Sequence, residues 1–266
     1  MLKMLVVDGN GGSGKSLTAK ALVDMYLNAE QVGISPCKVV GIDGSSQVDS
    51  MDLCGRGGLT PGNGIIQAIH ASLGTESGWI QLANDLEGLL EAEEEIRVIV
   101  SMPAGVGLQV FDGSIPVIGE ILERFHAIPI WVLNRTRAAI SALAVHLEMM
   151  PKRYARGLVV TNLFFGERKH FQIWDDSRLR REIVESNAWR EASLPSMQDL
   201  LMDRIGRTPL HIAEELGTTT GKLSLSERYC LNHWRRHASE SLRVIETIGD
   251  HWSTTPPEPS GYRRSL

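Results

Sequence analysis

The segment Gly9-Asn10-Gly11-Gly12-Ser13-Gly14-Lys15-Ser16 restricts what this chain can fold into more than any other stretch. It follows the apolar run Leu2 to Asp8 and opens a helix-forming stretch from Lys15 to Ala29. The pattern G-x-x-x-x-G-K-S between a strand and a helix is the phosphate-binding P-loop arrangement. Its glycines let successive backbone N–H groups turn inward as an anion nest, reinforced by the positive end of the helix that follows. In that arrangement Lys15 reaches the β- and γ-phosphates and the Ser16 hydroxyl ligates Mg²⁺. The residues expected around a bound nucleotide are Gly9, Asn10, Gly11, Gly12, Ser13, Gly14, Lys15, Ser16 and Leu17. The implied cofactors are ATP, with GTP second, and Mg²⁺. A Gly-rich turn carrying no ligand is the bland alternative, and the strand–loop–helix context argues against it.

The rest of the chain supplies the fold that such a loop needs. Short, β-branched apolar runs alternate with longer amphipathic segments, the pattern of a parallel sheet covered by helices on both faces. Strands are expected at Leu2 to Asp8, Lys38 to Asp43, Arg97 to Ser101, Ile128 to Leu133 and Gly157 to Asn162, with a weaker one at Glu191 to Leu194. Helices are expected at Lys15 to Ala29, Gly62 to Ser72, Trp79 to Glu95, Ile115 to His126, Arg137 to Met149 and Asp176 to Asn187. Beyond Pro195 only helical segments remain, at Met197 to Ile205, Pro209 to Leu216 and Ser226 to Ile248. The fold class is therefore α/β, a P-loop NTPase with a mostly parallel sheet, helices on both faces and a helical C-terminal extension. Residues 1–200 form the expected nucleotide-binding domain and 201–250 the extension. The tail 251–266, rich in Pro, Ser and Thr, reads as disordered. A chain of 266 residues with 42% hydrophobic content can bury a full core. Its three cysteines, Cys37, Cys54 and Cys230, have neither disulfide-framework nor metal-clamp spacing. No apolar run approaches the roughly 18–20 residues needed to span a bilayer, so a cytoplasmic protein without a membrane partner is expected.

Several segments, taken in order, resemble the ParA/MinD-type ATPases with their deviant Walker A loop, K-G-G-x-G-K-[ST]. Asn10 to Ser16 matches that loop except at Asn10. Val40-Gly41-Ile42-Asp43-Gly44-Ser45-Ser46-Gln47 is similar to the family's [IV]-D-x-D-x-Q segment, and Ile99-Val100-Ser101-Met102-Pro103-Ala104-Gly105 to its Walker B segment. Val159-Val160-Thr161-Asn162 resembles the strand whose terminal Asn reads the purine, and Glu191-Ala192-Ser193-Leu194-Pro195 the strand and Pro that flank the base. The resemblance implies Lys15 and Asp43 as catalytic groups, Ser16 and Asp43 at Mg²⁺, and Asn162 and Pro195 at the base. Within the family, the segment from Asn162 through Trp174, Asp176 and Arg178 to Pro195 looks most like the plasmid-partition and conjugative-mobilisation branch.

Three departures narrow that implication. The signature Lys, which crosses a nucleotide-sandwich dimer in the family, is Asn10. The second Asp of the D-x-D pair is Ser45, and the Walker B Asp is Ser101. Hydroxyls hold a Mg²⁺-bound water but are poor proton acceptors, so binding is expected to survive better than rapid hydrolysis. Asp8, just before the loop, reads as a strand-end residue that could stand in for a missing carboxylate. Gln47 reads as a water-orienting candidate or a solvated loop residue, and Arg56 in the Gly-rich stretch Cys54 to Gly64 as a phosphate-sensing or partner-facing arginine of a switch or dimer-interface loop, or as part of a plain surface loop.

The resemblance further implies a nucleotide-dependent homodimer, a DNA-bound relaxosome or partition partner protein, and nonspecific DNA contacts through arginines such as Arg135/Arg137, Arg153/Arg156, Arg178/Arg180/Arg181 and Arg235/Arg236. The net charge of −5 argues instead that these arginines pair with nearby acids on solvated faces. His126, His146, His170 and His211 lack metal spacing, and Trp131, Trp174 and Trp189 read as core anchors. Phe164-Phe165-Gly166 reads equally as a neighbour of the base and as a hydrophobic anchor. Two other functions fit the same residues: a P-loop small-molecule kinase, and an adaptor that keeps nucleotide without hydrolysing it.

Overall fold

The structure is a computed structural model that describes residues 1–44, 53–54, 59–103, 105, 116–149, 156–185, 187–206, 208–221 and 223–248. Its strands are β1 (Leu2–Gly9), β2 (Lys38–Asp43), β3 (Ile65–His70), β4 (Ile96–Ser101), β5 (Ile128–Leu133), β6 (Gly157–Asn162) and β7 (Trp189–Leu194). All seven join one parallel sheet in the order β3-β2-β4-β1-β5-β6-β7. The apolar runs β1, β4, β5 and β6 are buried along their whole lengths, as a sheet covered on both faces requires. With α1 (Lys15–Leu27) leading from β1 to β2 on one side and β5 lying on the other, the chain reverses direction about β1. The carboxyl end of β1 is therefore the switch point at which α/β sheets bind ligands.

The segment Gly62 to Ser72, expected as a helix, contains the edge strand β3 instead. Ile65 and Ile69 have helical spacing, but Ile65, Gln67 and Ile69 also alternate, and the β-branched residues favour the pleated form once β2 offers an edge. Gly62 and Gly64 turn the chain into that edge with φ of 123° and 89°. Val39 N–H then donates to the Gly64 carbonyl and Ala71 N–H to that of Asp43.

The remaining helices are α2 (Glu76–Glu87), α3 (Pro116–Arg124), α4 (Arg137–Met149), α5 (Asp199–Ile205), α6 (Leu210–Thr220) and α7 (Leu225–Leu242). Asp176 to Asn187, also expected as one helix, breaks into a turn at Arg178–Arg180 and a π-helical stretch at Arg181–Glu185. Ser177 caps a fresh turn there, while Arg168, Trp174 and Arg180 all bond to Glu191 of β7. These bonds fasten the segment to the sheet edge at several points instead of along one axis.

One face of the sheet packs on α2, α3 and α4, with Trp79, Trp131, Trp174 and Trp189 among its buried side chains. The other face packs on α1 and on the C-terminal helices. On α7 the stripe Leu231, Trp234, Ala238 and Leu242 is buried at helical spacing. Its start is fixed by a capping box in which Ser224 and Glu227 satisfy each other's backbone N–H. Trp234 donates from Nε1 to the Pro195 carbonyl at 2.8 Å, and Arg235 forms a forked pair with Asp24 of α1. The chain then turns through Arg243–Thr247, placing Ile245 in the same core and Glu246 against Arg97. The cysteines are unpaired thiols. Among the described residues no helix is long and apolar enough to cross a membrane. The tail 251–266 lies outside the described residues.

Candidate functional site

The P-loop sits at the carboxyl end of β1, the strand with β4 on one side and β5 on the other. Positive φ at Gly9, Gly12 and Gly14 (150°, 71° and 98°) bends the backbone back on itself. A side chain is sterically barred at Gly9, where a Cβ would lie 2.6 Å from the Val132 carbonyl oxygen. Lys15 opens α1 and curls into the loop, its Nζ donating to the carbonyls of Gly9 at 2.9 Å and Asn10 at 3.1 Å. Burial lowers the Lys15 pKa, and the charge of Asp8 opposes that shift. Ser16 is the second residue of α1, and Leu17 packs against the core beneath the loop. The result is a closed turn with a desolvated ammonium group inside it. Such a group is well placed to exchange two carbonyls for phosphate oxygens.

Asn162, the sequence candidate for base recognition, ends β6 and braces the loop. Its Nδ2 donates to the Ser13 carbonyl at 2.8 Å, and its Oδ1 accepts from Phe164 N–H at 3.1 Å. A Cβ on Gly14 would lie 2.2 Å from that Nδ2. Gly14→Ala thus combines a left-handed backbone with a collision and should lower stability by more than about 1 kcal/mol. Adding Asn162→Ala removes the collision. Urea denaturation of the double variant is expected to show a smaller loss than the two single losses added together. Strict additivity would mean the two residues do not press on one another.

Register aligns Val7, Ser101 and Asp43 across three neighbouring strands. Asp43 and Ser101 thereby share the sheet face that carries Val7 and α1. Both are buried. Asp43 accepts Leu53 N–H on Oδ2 at 2.9 Å, so it anchors the chain that follows β2. Gly44 N–H donates to the Ser101 carbonyl, which locks the ends of β2 and β4 together. The structure thus brings the P-loop, Asp43 and Ser101 to one end of the sheet. Ser45, Gln47, Arg56 and the glycines at 55, 57 and 58 lie outside the described residues.

Pro195 follows β7, and its carbonyl is held by Trp234, which ties the expected base-flanking segment to α7. Of the arginines, Arg178 pairs with Glu182, Arg180 with Glu191 and Arg235 with Asp24. Arg135, Arg137, Arg156, Arg181 and Arg236 are exposed, and Arg153 lies outside the described residues. Trp131, Trp174 and Trp189 are core residues. Phe164 is exposed and meets Phe165 edge to face.

Asp8 matters more than its strand-end reading suggested. It is 4% exposed, Gly9 N–H donates to its Oδ1 at 2.7 Å, and its Oδ2 has no hydrogen-bond partner among the described residues. Burial drives its pKa up to about 6 against the lowering effects of the Gly9 hydrogen bond and the Lys15 charge. Register sets it beside Trp131 of β5, whose ring lies 4.7 Å from that of His146 on α4. Nothing local in the sequence indicates that environment, because it is built from strands and helices more than a hundred residues away.

No family model matches this chain. It is similar to Protein MobD of Acidithiobacillus ferrooxidans, with 26% identity over 244 residues, covering 91% of this chain and 96% of that protein.

Proposed function

We propose that this protein is a nucleotide-dependent switch that binds a Mg²⁺–nucleoside triphosphate, ATP before GTP, in the Gly9–Ser16 loop and serves DNA mobilisation or partition. The observation that carries the reading is the buried Lys15 ammonium, turned into a glycine-shaped nest at the switch point of a parallel sheet. The donor set fits the group: backbone N–H groups and Lys15 for the phosphates, with the Ser16 hydroxyl and the Asp43 carboxylate for the metal. When bound, the nucleotide supplies a γ-phosphate that switch segments can read. The chain's own residues position it. Asn162 braces the loop through Ser13, and Ser101 presents a neutral hydroxyl where a carboxylate would activate water more strongly. Slow hydrolysis that resets the switch follows from that neutral position. The similarity to Protein MobD, a name we read as that of a mobilisation protein, supports the biological setting. A DNA-bound partner protein and a nucleotide-dependent homodimer belong to the same proposal.

Titration calorimetry with Mg²⁺-ATP, Mg²⁺-GTP and Mg²⁺-ADP tests the reading, and triphosphate binding in the micromolar range is expected. No binding of any of the three would sink it. Ser101 favours one second reading, a nucleotide-holding adaptor without turnover. Single-turnover hydrolysis, with and without duplex DNA, separates the two, since the switch requires cleavage under at least one condition.

A further inference from the structure

Two opposite charges stand at the P-loop, Lys15 within it and Asp8 just before it, and they do not pair. Lys15 is 8% exposed and spends its hydrogen bonds on the carbonyls of Gly9 and Asn10. Asp8, one residue before the loop, uses Oδ1 to hold Gly9 N–H and leaves Oδ2 buried without a partner among the described residues. The two side chains feel each other's charge, each shifting the other toward its ionised form. Among the described residues, the surroundings supply no other charge to Asp8. Trp131 of β5 stands beside it, the uncharged Met102 after β4 lies in the same core face, and His146 of α4 packs on Trp131, where burial keeps it neutral by lowering its pKa to about 4. Lys15, from the loop and α1, is therefore the one cation that faces Asp8 among these elements.

We infer that Asp8 is a positioning residue for Lys15, an internal counter-charge to the ammonium in the loop that takes up a proton when phosphate binds there. This rests on the nucleotide reading above. A phosphate chain arriving beside an ionised, desolvated carboxylate is repelled by it, and Lys15 together with the Mg²⁺ that accompanies the nucleotide offsets that repulsion only in part. Protonation removes the repulsion and frees Lys15 to bond the phosphates. In this step the proton comes from solvent and no covalent bond to the nucleotide changes. Burial already raises the carboxyl's pKa to about 6 against the Gly9 hydrogen bond and Lys15, which brings the uptake close to neutrality. Linkage then makes phosphate binding stronger as pH falls, with a limiting slope of about tenfold in affinity per pH unit for one proton.

The experiment compares wild type with Asp8→Asn, which keeps the shape and the acceptor to Gly9 but carries no charge. Affinity for Mg²⁺-ADP and Mg²⁺-ATP is measured by calorimetry from pH 5.5 to 8.5. Wild type is expected to lose affinity severalfold per unit as pH rises, while Asp8→Asn stays flatter and binds more tightly than wild type at pH 8. The ligand's own protonation is common to both proteins and cancels in the comparison. Identical pH profiles, or weaker binding by Asp8→Asn at pH 8, overturn the inference and leave the nucleotide reading standing. Absence of binding by both proteins at every pH removes the nucleotide reading itself.

A second measurement needs no ligand. A carboxyl whose folded pKa is raised contributes most below its unfolded value, about 3.9, and that contribution is lost as pH rises through the folded value near 6. Asp8→Asn is therefore expected to have the higher denaturation midpoint at pH 8, with the two proteins converging toward pH 4. A lower midpoint for Asp8→Asn at pH 8 overturns the inference as well.

Discussion

Lys15→Met is expected to reduce affinity for a Mg²⁺–nucleoside triphosphate by on the order of 100-fold or more, with the folded protein left intact. Hydrogen bonds to a charged group contribute roughly 1.5–3 kcal/mol each, and Lys15 is placed to form two of them to phosphate oxygens. In the structure those bonds go to the carbonyls of Gly9 and Asn10. Methionine retains the stem's volume and its contacts, so the cost to stability is limited to those two carbonyl bonds. Part of that cost is returned, because a lysine held below its ordinary pKa by burial is itself a destabilised charge. The midpoint of urea denaturation should thus move little while calorimetric binding disappears. Wild-type affinity in Lys15→Met would remove the phosphates from this loop. A collapse in stability would instead make Lys15 a structural strut.

How much of this site was legible depends on how far apart its partners lie in the chain. The P-loop was readable because strand, glycines, lysine and helix start are contiguous, and each acts on its immediate neighbours. Asp43 and Ser101 were readable as strand ends, and parallel register then brought them to one level. Asn162 was readable as a strand-end residue of the site, but its brace to the loop was not. Its bond to Ser13 spans 149 positions, and no local pattern distinguishes a brace from a base reader. The edge strand β3 was missed because Ile65 and Ile69 satisfy both periodicities, and only the edge of β2 decides between them. Asp8 is readable by its position, yet its environment comes from Trp131 beside it across the sheet, which in turn packs on His146. Charge pairing was the least visible layer. Tyr26, Arg97 and Glu246 stand in three unrelated segments, and nothing in any of them announces the others.

That last trio carries the second large expected effect. Arg97 of β4 is 3% exposed, with Nη2 on Glu246 Oε2 at 3.2 Å and Nη1 on Glu95 Oε2 at 2.8 Å. Tyr26 of α1 donates its hydroxyl to Glu246 Oε1 at 2.5 Å, and the guanidinium stands over its ring. Breaking a buried pair from one side costs roughly 3–5 kcal/mol, because the remaining charge stays desolvated. Glu95 still holds Arg97 and Glu246 is partly exposed, so Glu246→Ala should fall at about 3 kcal/mol, the low end of that range. Burial alone would raise the Glu246 carboxyl, but the Tyr26 hydroxyl and Arg97 outweigh it and hold its pKa below the ordinary range. A carboxylate depressed in this way stabilises the fold fully above its unfolded pKa, about 4.3, and loses that contribution as pH falls through the lower folded value. Wild type should therefore lose stability below about pH 4.3 through this group, and Glu246→Gln should lack that component of the acid transition while being less stable at pH 7. The consequence reaches the P-loop through α1, which carries Lys15 at its first turn and Tyr26 at its last. Arg235 grips the same helix at Asp24. If α6, α7 and the turn after them complete the core under the P-loop, denaturation of Glu246→Ala will remain one cooperative transition at a lower midpoint. Two separate transitions, with nucleotide binding retained after the first, would show instead that residues 1–200 fold without their C-terminal helices.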